Sequence, residues 1–167
     1  MKISKEFTEQ SIYYLELNPP RIEKCLRQLT EDQVWKKPNA NTNSIGNLIL
    51  HLCGNITQYA HSSLGNEKDA RNRDLEFSAD GGFSKKKLLE KITVVTERAV
   101  QVIETISEDE LLRNRKVQGF DYSGISIIIH ITEHFSYHVG QIAFFTKLLC
   151  DKDLGFYKDL DLNILNE

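Results

Sequence analysis

The chain reads as an all-α protein built as one four-helix bundle. Three observations lead there: four long stretches repeat apolar residues at three- and four-residue intervals, no stretch alternates convincingly like a strand, and the last of the four carries three histidines in helical register. Amphipathic helices of this kind bury their stripes against one another. With 167 residues and 40% hydrophobic content, a single domain spanning 1–167 is large enough to bury about 70% of the surface that its unfolded chain exposes.

The first helical stretch runs from about 5 to 29 and is interrupted by Asn18-Pro19-Pro20. Proline lacks an N–H and clashes with the preceding turn, so the helix kinks or restarts there. Ile22, Leu26 and Leu29 then share a face. Thr30-Glu31-Asp32-Gln33 is a capping-box pattern, predicting a short turn that carries Val34 and Trp35 and ends by Pro38. Trp35 is expected to plug one end of the core. The second long helix spans 44–64, with Ile45, Leu48, Ile49, Leu52, Ile56 and Tyr59 as its stripe and His51 beside it, in line with Leu48 and Asn55.

Residues 65–83 contain three glycines and mixed charges without a sustained period, which predicts a long helix 2–helix 3 loop. Arg71 and Arg73 in it are candidates for binding an anion, with surface salt bridges as the plain alternative. The third helix opens at Ser84 and runs to about 105 along Leu88, Ile92, Val95, Ala99 and Ile103. Ser107-Glu108-Asp109-Glu110 repeats the capping pattern before Leu111 and Leu112, and residues 113–122 are expected to be an extended connection. The acidic segment 151–167, with Leu154, Phe156, Tyr157, Leu160 and Ile164, is expected to strap back over the bundle.

The fourth helix, about 123–149, holds His130, His134 and His138 at four-residue steps. Each step advances about 6 Å, so the outer two stand about 12 Å apart along the axis. Imidazoles on one metal need nitrogens within about 2.1 Å of it, so one ion takes an adjacent pair and leaves the third histidine another role. His51 is the histidine on another helix that borders the core and can supply a third nitrogen. Spacing alone leaves a metal site and a set of hydrogen-bonded core imidazoles as level readings. Ile128, Phe135, Val139 and Phe144 lie outside the helix's core stripe, which predicts a homodimer through helix faces.

Composition narrows the partners. The net charge is −3 and the basic residues are dispersed apart from Lys85-Lys86-Lys87, which argues against nucleic acid. Cys25, Cys53 and Cys150 are odd in number and widely spaced, as suits reduced thiols in a cytoplasm, and none is a good zinc ligand. No signal pattern opens the chain, and its longest apolar run is broken by histidines and Glu133, so a cytoplasmic protein without a membrane partner is expected.

The run from His130 to Ile142, with His134-Phe-Ser-Tyr-His138-Val-Gly140-Gln141, resembles the H-x3-H-x-G-Q signature of the DinB-like (YfiT-like) superfamily of metalloenzymes. Asn43 to Leu52 is similar to that superfamily's second-helix segment, which ends in its first metal histidine. With Asn72-Arg73-Asp74 and Glu76-Phe77, the text resembles an uncharacterised branch. The resemblance implies a bundle in up-down-down-up order, a divalent-metal site on His51, His134 and His138, His130 beside the ligands, and frequent homodimers. Val139 stands where many relatives carry arginine.

Two functions follow from different classes. One is a metal-dependent enzyme, either a transferase using a small thiol cosubstrate or a hydrolase, acting on a small molecule through zinc or nickel. The other is a non-enzymatic dimeric bundle whose metal is structural or vestigial. An open coordination position distinguishes them, because structural zinc sites are closed by four protein ligands. Glu133 and Tyr137 adjoin a ligand without sharing its face, so no catalytic side chain is named from sequence.

Overall fold

The computed structural model describes residues 2–166. The proline pair does restart the first helix: α1 (Ile3–Glu16) ends, and α2 (Asn18–Gln28) begins with its prolines in the first turn, where their missing N–H groups have no helical partner to lose. A short α3 (Glu31–Trp35) opens on the full Thr30–Gln33 capping box. Ser44 and Asn47 form a second box at the start of α4 (Ile45–Ile56), which runs on as the wider-turned π-helix Thr57–Leu64. Gly65 N–H then reaches back to Ala60.

The connection 65–83 departs from the expected loop. Residues Arg73–Ser78 form a helix, α5, capped by Asn72, whose side-chain oxygen accepts from the amide of Leu75. At its other end Asn47 Nδ2 donates to the carbonyls of Glu76 and Ala79, at 3.0 and 2.7 Å. Six residues are too few for a readable period, and tertiary hydrogen bonds supply what propensity does not. After α6 (Lys85–Glu104) and the short α7 (Glu108–Leu112), the extended connection is a paired hairpin, β1 (Asn114–Val117) with β2 (Phe120–Ser123). Gln118 and Gly119 both have positive φ, as a tight two-residue turn demands. Ser123 caps α8 (Gly124–Cys150).

Helices α4 and α6 run parallel: Trp35, packed on Gly46 near the start of α4, donates to Phe83 O just before α6, whereas Gly65 beyond the π-helix approaches Val102 near the end of α6. Helix α8 runs antiparallel to α4, since Asn55 meets His130 and His51 meets both His134 and His138. It runs parallel to α1–α2, with Cys150 donating to Gln28 O. The order is therefore up-down-down-up. The core gathers all four stripes, including Ile22, Ile49, Ile92, Ile103, Ile127 and Ile131, and Trp35 closes one end as expected.

Two expectations are corrected. Ile128, Phe135 and Val139 are buried inside the chain, because α8 packs against α1, α2 and α4 together, and Phe144 alone of the predicted dimer residues is exposed. The strap is also shorter than expected. Leu154 is buried and Lys24 Nζ donates to Gly155 O, but Leu160 and Ile164 are exposed. Among the described residues no helix is long and apolar enough to cross a membrane.

Candidate metal centre

The seam between α4 and α8 brings together His51, His134 and His138, each offering a nitrogen, with all three nitrogens within 4.8 Å of one another. The α-helical step makes this pairing: His134 and His138 lie one turn apart on α8, and His51 faces both. His51 Nε2 stands 2.9 Å from His134 Nε2. Tetrahedral ligation at about 2.1 Å places nitrogens about 3.4 Å apart, within the span seen here. Among the described residues no fourth histidine, cysteine or carboxylate joins the group. The two buried thiols take no part, because burial pushes Cys25 up to about 11 and Cys53 up to about 12 and keeps them protonated.

His51 and His138 are each oriented through a second contact. His51 Nδ1–H donates to Glu76 Oε2 at 3.0 Å, and His138 Nδ1 pairs with Gln141 Oε1 at 2.7 Å. Both contacts fix the tautomer that leaves Nε2 bare for a metal. Glu76 is 8% exposed and is held in turn by Arg71, whose Nε and Nη2 donate to its two oxygens at 2.7 and 2.8 Å. Burial alone would raise the Glu76 carboxyl. The hydrogen bonds from Arg71 and His51 and the Arg71 charge outweigh it, and the group sits below the usual carboxylate range.

Arg71 therefore faces inward. Its side chain is 3% exposed, and the anion that it meets is Glu76, with Gln58 Oε1 accepting from its Nη1. Arg73 lies over the ring of Phe77, which in turn packs on His51. His130 stands one turn from the cluster, stacked between Tyr59 and His134, with its Nε2 3.1 Å from Asn55 Nδ2. The hairpin reaches this end of the seam through Gln118, which accepts from the Tyr59 hydroxyl.

The three imidazoles of α8 are kept neutral. Burial lowers His130 and His138, and burial joined by the charges of neighbouring His138 and His51 brings His134 down to about 3. A neutral imidazole is the form that binds metal.

Sequence reasoning missed Glu76 as the partner of His51, and the clue was Gly54. A Cβ at Gly54 would lie 1.9 Å from Glu76 Oε1 and 3.0 Å from Arg71 Nε. A glycine inside an otherwise apolar helix costs about 1 kcal/mol against alanine, so its presence one turn after His51 signals a close approach.

Bundle and cluster together define the class, an all-α fold of the DinB-like type with a histidine group suited to a metal ion. Two solved structures share the fold. A conserved protein of Enterococcus faecalis superposes with a TM-score of 0.75 at 15% identity, covering 91% of this chain and 99% of its own. The DinB-like protein YjoA of Bacillus subtilis gives 0.67 at 18%, covering 89% and 96%. The chain belongs to the family described as "Protein of unknown function (DUF1572)", whose pattern matches residues 2–158. No curated protein is a match to it.

Proposed function

We propose that this chain is a metal-dependent enzyme acting on a small molecule, as a thiol-dependent transferase or a hydrolase. His51, His134 and His138 hold one divalent ion, zinc or nickel, both of which accept imidazole ligands. The observation that carries the reading is the pairing of three converging nitrogens with two dedicated orienting partners, Glu76 and Gln141. One hydrogen bond between His51 and His134 would account for that pair, but not for a nitrogen of His138 held within 4.8 Å of both. Three protein ligands leave a coordination position for water or substrate.

Such a bound ion supplies either a water whose pKa falls toward about 7 or a thiol held as thiolate. The residues of the chain do the rest. Arg71 and Glu76 keep His51 in one tautomer, Gln141 does so for His138, and Phe77 covers one face of His51. His130, neutral and tied to Asn55, stacks on His134. Metal analysis after mild purification tests the reading: about one ion per chain is expected, and metal content unchanged in His134→Ala would defeat it.

A homodimer belongs to the same proposal, through a different surface from the one expected. A groove of about 740 Å³ between α1 and α8 presents Phe7, Tyr14, Ile129 and Tyr137 beside Ser136 and Gly140. Sedimentation showing a monomer at tens of micromolar would remove the dimer and leave the metal reading standing.

A further inference from the structure

The ion pair behind His51 also borders a separate space. Arg71 and Glu76, whose contacts orient His51, line a cavity of about 470 Å³ between α4, the segment 68–76 and α6. None of His51, His134 and His138 lines it. Its volume falls within the range of small-molecule pockets, about 300–1,000 Å³.

The lining combines apolar walls with charge of one sign. Leu50, Cys53 and Val95 supply apolar surface and Phe83 a ring. Of the four charged residues that line the cavity, three are cations, Lys68, Arg71 and Lys91. The one acid, Glu76, is already spent on Arg71 and His51. Among the described residues neither lysine forms a salt bridge. The acids that flank Lys68 in sequence are engaged elsewhere: Glu67 pairs with Arg98, and Asp69 accepts from Gln58 and from the Arg71 amide.

Position makes this charge effective inside the cavity. Lys91 lies over the Phe83 ring, 5.4 Å from its centroid, and its charge reaches the Cys53 thiol on the opposite wall, where it opposes the rise that burial causes. The Arg71 side chain is only 3% exposed. Its Nη1 gives one N–H to Gln58 and keeps a second without an acceptor among the described residues. A cleft lined by one sign of charge between apolar walls concentrates ions of the other sign.

We infer that this cavity binds a small organic anion, with a carboxylate or phosphate head among Lys68, Lys91 and Arg71 and an apolar body against Leu50, Cys53 and Val95. The head compensates the two lysines, and the body covers the walls. A bare inorganic anion leaves the walls uncovered, and a neutral apolar molecule leaves the lysines uncompensated. The site is independent of the metal reading, because no lining residue is a metal ligand.

Isothermal titration of the full chain with hydrocinnamate, phenyl phosphate, the neutral hydrocinnamamide and inorganic phosphate is the test. The better of the two organic anions identifies the head. It should bind about 5-fold or more tightly than both the amide and inorganic phosphate, and added salt should weaken it. In a Lys68→Gln, Lys91→Gln variant its affinity should drop about 5-fold or more. Both lysines are exposed, so the fold should tolerate the change. In His134→Ala, which removes a metal ligand, its affinity should persist.

Failure of both organic anions to bind at millimolar concentration would overturn the site. An amide that binds as well as the better anion would remove the role of charge, and inorganic phosphate that binds as well would remove the role of the apolar walls; either result overturns the inference. Affinity unchanged in the double lysine variant but lost in His134→Ala would place the anion on the metal, overturning the cavity site while supporting the metal reading. Protein that carries no metal yet binds as expected would keep the cavity site and defeat the metal reading alone.

Discussion

Glu76 shows how one side chain can set the chemistry of another. Buried beside His51, it accepts from Nδ1–H and is itself clamped by Arg71. Removing such a partner of a metal-binding histidine weakens metal binding by about 10–100-fold, and Glu76→Gln should do so while keeping a hydrogen-bonding group in place. Gly54→Ala should produce the same loss by steric means, since its Cβ has no room beside the Glu76 carboxylate. Titration with zinc and a competing chelator reads both variants. Affinity unchanged in both would mean that Glu76 does not orient the ligand.

His130 and His138 offer a sharper contrast, because the sequence spaces them identically about His134. His138 is buried, adjoins His51 and has Gln141 on its Nδ1, whereas His130 is spent on Asn55 and Tyr59. His138→Ala should lose most of the bound metal and His130→Ala should retain it, as measured by metal analysis. The reverse pattern would move the site one turn toward the start of α8.

Among the elements, those with long stripes were legible in the sequence and those defined by tertiary partners were not. Helices α4, α6 and α8 follow from periodicity, and α6 also from Ser84 as its cap. Helix α5 exists because Asn47 binds its last carbonyls, and nothing local announces that. The hairpin was half visible: residues 113–122 read as extended, but four-residue strands give too little alternation to show their pairing. Ser107 caps α7 as expected, whereas Glu110 turns to Arg113 and Arg115 instead of completing the box. The strap divides at Tyr157, whose hydroxyl accepts from Arg21. Truncation after Lys158 should move the melting temperature by less than about 2 °C, because the leucines and isoleucine beyond it are exposed. Leu154→Asp should lower it clearly, by burying a charge without a partner.

For the whole molecule, the question is how far the ion and the core share the stability. Four apolar stripes bury without any metal, so saturating chelator near neutral pH should lower the melting temperature while leaving helical circular dichroism intact at moderate temperature. Acid acts on the same residues. His130, His134 and His138 have folded values below the ordinary 6.5, so between 6.5 and those values the unfolded chain takes up protons that the folded chain does not. Stability is therefore full above about pH 6.5 and declines as pH falls from there toward about 3, the His134 value. Protons also compete with the ion for the ligands, so metal content and melting temperature should fall together below about pH 6, as followed by metal analysis and thermal scans across pH. A melting temperature flat from pH 7 to 4 would contradict this.

The central claim is that His51, His134 and His138 converge to hold one ion. Its most direct test is metal analysis of the protein and of His134→Ala after mild purification, since His134 lies against both His51 and His138. The account predicts about one zinc or nickel ion per chain in the parent protein and little in the variant. Equal metal in both, or none in the parent after incubation with zinc and nickel, would contradict it.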